Sequence, residues 1–395
     1  PEAPFGGVKE SGLGREGAIR ASTTISTRNT SASAAWVFDP ARRPDSISAQ
    51  RQVLILMKDG EIFGETRTGE DISRFTIRGG GLTASIIGWG AVIQDLRLAG
   101  HDAPLVLGYE RLEDYEKDTA YFGAVVGRYA NRIRDGRFTL FGRRYQTDRN
   151  FLGKHLLHGG IDGFSRRPWS VSLHGRDFVT LTLHDPDGTM GFPGALEATC
   201  TYRLKIPGTL SVELSATTDQ PTVCNLTQHS YFNLDDGGAG DILGHRLMLQ
   251  GSAYLPVDAD MIPTGAVEPV EGTPFDFRQA RSLQAEAGGQ PLPYDVNLCL
   301  ASARGSLKQA AWVQGATSGV EMEVWTTEPG LQFYTGQHVK PGRPGLGGLR
   351  YDAFSGLCLE PQVWPDAPNR PYFPQATLLP GDTYHHVTEY RFRMD

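Results

Sequence analysis

No apolar run in this chain of 395 residues approaches the ~18 that a membrane-crossing helix needs, so no membrane partner is expected. Cysteine is scarce. Cys200, Cys224, Cys299 and Cys358 lie far apart and form no C-x-x-C pair. That leaves neither a metal-finger spacing nor a disulfide framework, and predicts buried reduced thiols. An excess of positive charge is also missing. Lys and Arg number 38 against 45 Asp and Glu, a formal net charge of -7, which argues against nucleic acid or an anionic membrane as partner. No secretory leader is visible, which predicts a cytoplasmic protein, although the chain opens on Pro1 rather than methionine, as if something had been removed upstream. Sustained helical periodicity is absent as well.

What the chain has in abundance is turn residues and alternation. It carries 48 glycines and 25 prolines, well above the usual ~7% for glycine, which implies many turns and few long helices. From about Ile62 onward the apolar pattern has period two. In residues 196–206, Leu196, Ala198, Cys200, Tyr202, Leu204 and Ile206 fall on one face, with Glu197, Thr199, Thr201, Arg203 and Lys205 on the other. Pro207-Gly208-Thr209 then turns the chain into a second alternating run at Leu210, Val212, Leu214 and Ala216, a hairpin with one buried face. Val179–Leu183 and Val320–Trp325 alternate likewise, and clusters such as Asp185-Pro186-Asp187-Gly188 separate the runs. Only short stretches, such as Arg278–Ala287, have a helical pattern. The expected architecture is all-β: a large antiparallel β-sandwich over residues 61–395.

Residues 1–60 differ. Residues 18–50 are rich in Ser, Thr, Ala and Arg without periodicity, and are expected to be a disordered linker. Before them, Gly12-x-Gly14-x-x-Gly17 has the spacing of a dinucleotide fingerprint, but no buried strand precedes it and no βαβ unit surrounds it. Residues 4–17 instead resemble the extreme C-terminal motif of aldehyde dehydrogenases. With no dehydrogenase nucleotide domain or catalytic cysteine segment before it, this stretch resembles the end of a neighbouring or fused gene and implies no dehydrogenase activity.

The chemistry is carried by four segments. Cys358-Leu359-Glu360-Pro361-Gln362-Val363-Trp364-Pro365 sets a glutamate where an apolar run breaks into a rigid turn, the position of a desolvated base. The others are Gly127-Arg128-Tyr129-Ala130-Asn131-Arg132-Ile133, Leu157-His158-Gly159-Gly160 and Gln228-His229-Ser230-Tyr231-Phe232-Asn233-Leu234. A lone histidine beside a strand is as readily a structural hydrogen-bonder as a functional group. Here the two glycines after His158 permit close backbone approach to a ligand, and His229 opens a run, including Tyr231, with one polar and one stacking face. A sugar presents those same two surfaces. His155 and His158 form an H-x-x-H pair, but in strand or loop context this spacing does not converge two imidazoles, so no metal is expected. Asn131, Arg132, Asp295 and Gln332 are polar groups set in apolar surroundings, each open to a structural or a binding role. Phe232, Phe333, Tyr334 and Trp364 are candidates for an apolar sugar face, with core packing the equal alternative.

These segments, in this order, resemble the aldose 1-epimerase (mutarotase) family from about Ile62 to the C-terminus. The resemblance implies the mutarotase-like supersandwich, an isomerase acting on an aldose sugar without cofactor, and a monomer or homodimer. It also implies that Glu360 is the general base, that His229 is the general acid, and that Asn131, Arg132, His158, Asp295 and Gln332 hold sugar hydroxyls. One departure stands out. The family's Asp-His-Asn is Asp295-Val296-Asn297 here, a loss with the potential to alter substrate preference. Two alternatives remain: a catalytically silent carbohydrate-binding domain of the same fold, and a hexose-6-phosphate epimerase. The first has no use for an acid–base pair, and the second calls for a basic cluster.

Overall fold

In a computed structural model of the chain, residues 60–284, 290–340 and 342–394 are described. The dehydrogenase-like segment and the linker lie outside them.

Alternation becomes antiparallel sheet throughout. A nine-stranded sheet runs, in spatial order, Ser170–His174, Phe178–Asp185, Leu196–Lys205, Thr209–Thr218, Tyr384–Arg393, Glu321–Thr326, Lys308–Gln314, Arg246–Leu249 and Arg281–Ser282. The expected hairpin forms at its centre, with Leu204 opposite Leu210 and Lys205 opposite Thr209. A six-stranded sheet runs Tyr231–Phe232, Leu357–Gln362, Gly330–Tyr334, Asp295–Cys299, Ala253–Leu255 and Glu268–Pro269. Tyr202, Leu214, Val324 and Tyr390 from the first sheet share one apolar core with Val296, Leu331, Phe333 and Leu359 from the second, so the two form a sandwich. A four-stranded sheet over residues 61–98 adds Ile77, Ile86 and Ile93 to that core.

The helical expectation at Arg278–Ala287 is not met. Arg281–Ser282 is an edge strand paired with Arg246–Leu249, and residues 285–289 fall outside the described set. Tertiary contacts override the local pattern: the Arg281 guanidinium lies 3.7 Å from the Phe277 ring centre and its Nε donates to the Asp276 carbonyl at 3.0 Å. The six-residue helix Leu112–Lys117, which the sequence pattern does not announce, is the one α-helix among the described residues.

The segment 127–133, which supplies Asn131 and Arg132 to the polar cavity described below, is tied down by a buried cation. Arg128, 1% exposed, donates to Asp185 Oδ2 from Nη2 at 2.6 Å and to the carbonyls of Pro193 and Gly194 from Nη1 at 2.9 and 2.8 Å. Removing it leaves the Pro193 and Gly194 carbonyls without this donor and Asp185 with one cation fewer. Arg128→Leu is expected to destabilise by about 3–5 kcal/mol in urea unfolding. The lower end is expected, because Arg167 still reaches Asp185 at 2.6 Å.

Candidate active site

The period-two pattern decides which side chains reach the cavity. In Leu357–Gln362, Leu357 and Leu359 enter the core, so Glu360 faces away from it. The neighbouring strand sends Leu331 and Phe333 to the core and Gln332 to the other side; the next sends Val296 and Leu298 to the core and Asp295 and Asn297 to the other side. Register aligns Asn297, Gln332 and Glu360 in one row, and Asp295, Tyr334, Cys358 and Tyr231 in the next. A strand pattern that looks uniformly buried thus carries a polar face.

The opposite wall comes from loops and a short strand, Thr227–His229, paired with Ala124–Val126. Tyr121, Asn131 and His158 there have positive φ, at 62°, 61° and 50°. Asparagine tolerates that conformation; for tyrosine and histidine it costs of order 1–3 kcal/mol and persists only where the surroundings enforce it. Asn131 and His158 enforce each other. The His158 N–H donates to the Asn131 carbonyl at 3.0 Å, and the Asn131 N–H donates to His158 Nδ1 at 3.2 Å. The neutral imidazole therefore carries its proton on Nε2. A Cβ on Gly159 would lie 1.8 Å from the Gly127 carbonyl oxygen, so this glycine admits close approach by the chain's own backbone.

Together these elements enclose a cavity of about 210 Å³ lined by all eight predicted residues: Asn131, Arg132, His158, His229, Tyr231, Asp295, Gln332 and Glu360. His229 Nε2 lies 3.6 Å from Glu360 Oε1, and its Nδ1 lies 3.7 Å from Cys358 Sγ. Arg132 Nη2 meets Asp295 Oδ2 at 3.3 Å, and Gln332 Nε2 donates to Asp295 Oδ1. Two buried polar atoms, Glu360 Oε2 and Arg132 Nε, have no hydrogen-bond partner among the described residues. Such groups are costly unless a ligand satisfies them.

Electrostatics follow from the burial. Desolvation, with Asp295 adding to it, pushes the Glu360 carboxyl well above the ordinary glutamate value; Arg132 opposes the shift. Burial pulls His229 down to about 4, and pulls His158 well below its ordinary value, aided by His229 and Arg132. Both shifts favour the uncharged forms, a protonated Glu360 carboxyl and a neutral His229 imidazole.

The ligating atoms of His158, His229 and Glu360 lie within 4.8 Å of one another, a spacing that a metal ion also accepts. The donor chemistry fits a cation poorly. With Nδ1 of His158 occupied by the Asn131 N–H, its remaining nitrogen offers a proton rather than a lone pair. His155, the other half of H-x-x-H, is elsewhere: its Nδ1 accepts the Asp135 N–H at 2.9 Å and its Nε2 lies 3.3 Å from Asp260.

Sequence reasoning missed Tyr121 and Phe151. The Tyr121 ring lies 4.7 Å from His158 and 5.8 Å from His229, and the Phe151 ring centre is 4.7 Å from the Arg132 guanidinium. Neither sits in a run whose pattern marks it. Of the four aromatic candidates, Tyr334 lines the cavity, whereas Phe232 and Phe333 are in the main core and Trp364 in a separate apolar cluster. Val296 also faces the core, so the family's missing histidine position does not point at this cavity, and the expected effect on substrate preference has no geometric basis.

The family model described as "Aldose 1-epimerase" matches residues 73–391. Galactose mutarotase from Mus musculus is 42% identical over 338 residues, covering 84% of this chain and 97% of the relative. Aldose 1-epimerase from Escherichia coli is 36% identical, covering 82% and 96%. Among solved structures, the aldose epimerase homologue from C. elegans superposes with a TM-score of 0.76 at 31% identity, covering 82% of this chain and 99% of that one. With a polar cavity on the outer face of a mutarotase-like sandwich, and with a family match spanning nearly all the strands that build it, the chain belongs to the aldose 1-epimerase family.

Proposed function

We propose that this protein, through a domain of residues 61–395, interconverts the α and β anomers of free aldopyranoses such as glucose and galactose. The observation that carries the reading is the buried Glu360–His229 pair, 3.6 Å apart in the cavity lining. Glu360 as carboxylate removes the proton from the C1 hydroxyl. The O–H electrons form the C1 carbonyl as the bond from C1 to the ring oxygen breaks, and His229 as imidazolium delivers its proton to that oxygen. Rotation about C1–C2 and the reverse steps close the ring on the other face, returning both groups to their starting states. Asn131, Arg132, His158, Asp295 and Gln332 hold the hydroxyls, with the His158 Nε2–H and the Arg132 Nε–H as donors, while Tyr231 and Tyr334 bound the site.

The carboxylic acid–imidazole and carboxylate–imidazolium forms of the pair contain the same number of protons, so pH does not change their ratio. Burial favours the neutral form. A sugar with its C1 hydroxyl on Glu360 and its ring oxygen on His229 favours the charged one.

A phosphorylated substrate fits poorly. Among the described residues, Arg132 is the one Lys or Arg lining the cavity, and Asp295 already engages it. Polarimetry on freshly dissolved α-glucose, α-galactose, xylose and arabinose tests the assignment. Accelerated mutarotation, unchanged by EDTA, is expected. Loss of turnover in EDTA that a divalent ion restores, or preference for a 6-phosphorylated sugar, would overturn it.

A further inference from the structure

The segment between Asn150 and Leu157 contains the half of H-x-x-H that the chemistry leaves unused, and it bears on Arg132. The Phe151 N–H donates to the His155 carbonyl at 2.9 Å, and the Phe151 carbonyl accepts from the N–H groups of Lys154 and His155 at 3.0 and 2.9 Å. This closes a five-residue turn whose tip, Leu152, is 58% exposed. His155, 2% exposed, is its anchor. It accepts the Asp135 N–H on one side and faces Asp260 on the other, and Lys154 Nζ adds a second tie to Asp260 at 2.9 Å. Asn150 ties the other flank, its Nδ2 donating to the Leu157 carbonyl at 2.9 Å and its Oδ1 accepting the Leu157 N–H at 2.8 Å, and Phe151 is the residue the turn sets into the cavity lining.

Arg132 needs that fixing. Its contacts to Asp295 Oδ2 at 3.3 Å and to Asn131 Oδ1 at 3.5 Å are at the long end of the hydrogen-bond range. Two long contacts define the plane of a guanidinium loosely, and its buried Nε has no partner among the described residues. The Phe151 ring, 4.7 Å from the guanidinium carbon, supplies a flat π face that prefers one orientation of the cation.

We propose that Phe151 is a substrate-positioning residue: held by the His155-anchored turn, its ring sets the Arg132 guanidinium so that the free N–H edge meets a sugar hydroxyl. The inference rests on the sugar-binding reading of this cavity. It assigns the turn a share of substrate affinity rather than of proton transfer.

The test uses the full chain and the aldose turned over fastest by the wild type. Phe151→Ala is expected to raise KM by about 3–30-fold, the range of a partly buried cation–π contact, with kcat carrying the smaller share and the pH limbs unmoved. Phe151→Tyr, which keeps the π face, rescues KM. Phe151→Leu, which keeps apolar bulk without it, does not, and this variant reads the effect even where the alanine variant fails to fold. His155→Ala raises KM in the same direction, and adding it to Phe151→Ala gives less than the product of the two effects, because both act through one contact. An unchanged KM in a folded Phe151→Leu variant, or full rescue by leucine, would overturn the inference. If Glu360→Gln is inactive while Phe151→Leu binds normally, this inference fails and the catalytic reading stands; if Glu360→Gln is active, the catalytic reading fails on its own.

Discussion

Glu360→Gln is expected to lower kcat by about 10²–10⁴-fold while sugar binding persists, the usual loss when a positioned base is removed. Glutamine keeps the shape of the side chain and its neighbours in register, Gln332 and Asn297. It is also uncharged, the form towards which burial shifts the Glu360 carboxyl. The thermal midpoint should therefore move little, which separates lost chemistry from lost folding. Retention of more than about a tenth of wild-type kcat, well short of the loss expected of a base, would place the base elsewhere. Asp295 is the other carboxylate lining the cavity and becomes the next candidate.

His229→Asn is expected to cost a similar factor, on the order of 10²–10⁴, because an amide cannot deliver a proton to the ring oxygen. The pH profile adds a second readout. Activity needs one proton on the Glu360–His229 pair, so kcat/KM falls on the acid side as the pair takes up a second proton. Burial places that step at about 4, on His229. On the alkaline side the rate falls as the pair loses its last proton, and burial moves that step upward from the ordinary glutamate value. The result is a broad bell, measured as kcat/KM against pH. The two limbs belong to the pair: Glu360→Gln leaves a single limb in whatever activity remains, a fall with rising pH as the His229 imidazolium loses its proton. A wild-type acid limb near the ordinary histidine value would contradict this ordering.

Much of the fold was legible because alternation is local. The run Leu196–Lys205 and its partner Thr209–Thr218 declare a hairpin through their own side chains, whatever packs on them. The candidate cavity was legible where a polar side chain interrupts an apolar strand, as Glu360 and Gln332 do. The remainder depends on contacts distant in sequence. Tyr121 reaches the two histidines through a left-handed backbone position that no composition rule assigns to tyrosine. Phe151 acquires its place from a turn anchored on Asp135 and Asp260, the latter more than a hundred residues away. Gly159 after His158 signalled close approach, and the group that approaches it is the Gly127 backbone. Val296 marks the reverse limit: a family comparison singles it out, and strand alternation places it on the core side.

The central claim is ring opening by a proton pair, and exchange spectroscopy on an equilibrated sugar in D₂O tests it most directly. With wild-type protein, magnetisation should transfer between the α and β anomeric protons of glucose far faster than without it, and the hydrogen on C2 should remain protium, because only oxygen-bound protons move. Glu360→Gln should abolish the transfer. Anomeric exchange no faster than in buffer, or deuterium appearing at C2, would contradict the account.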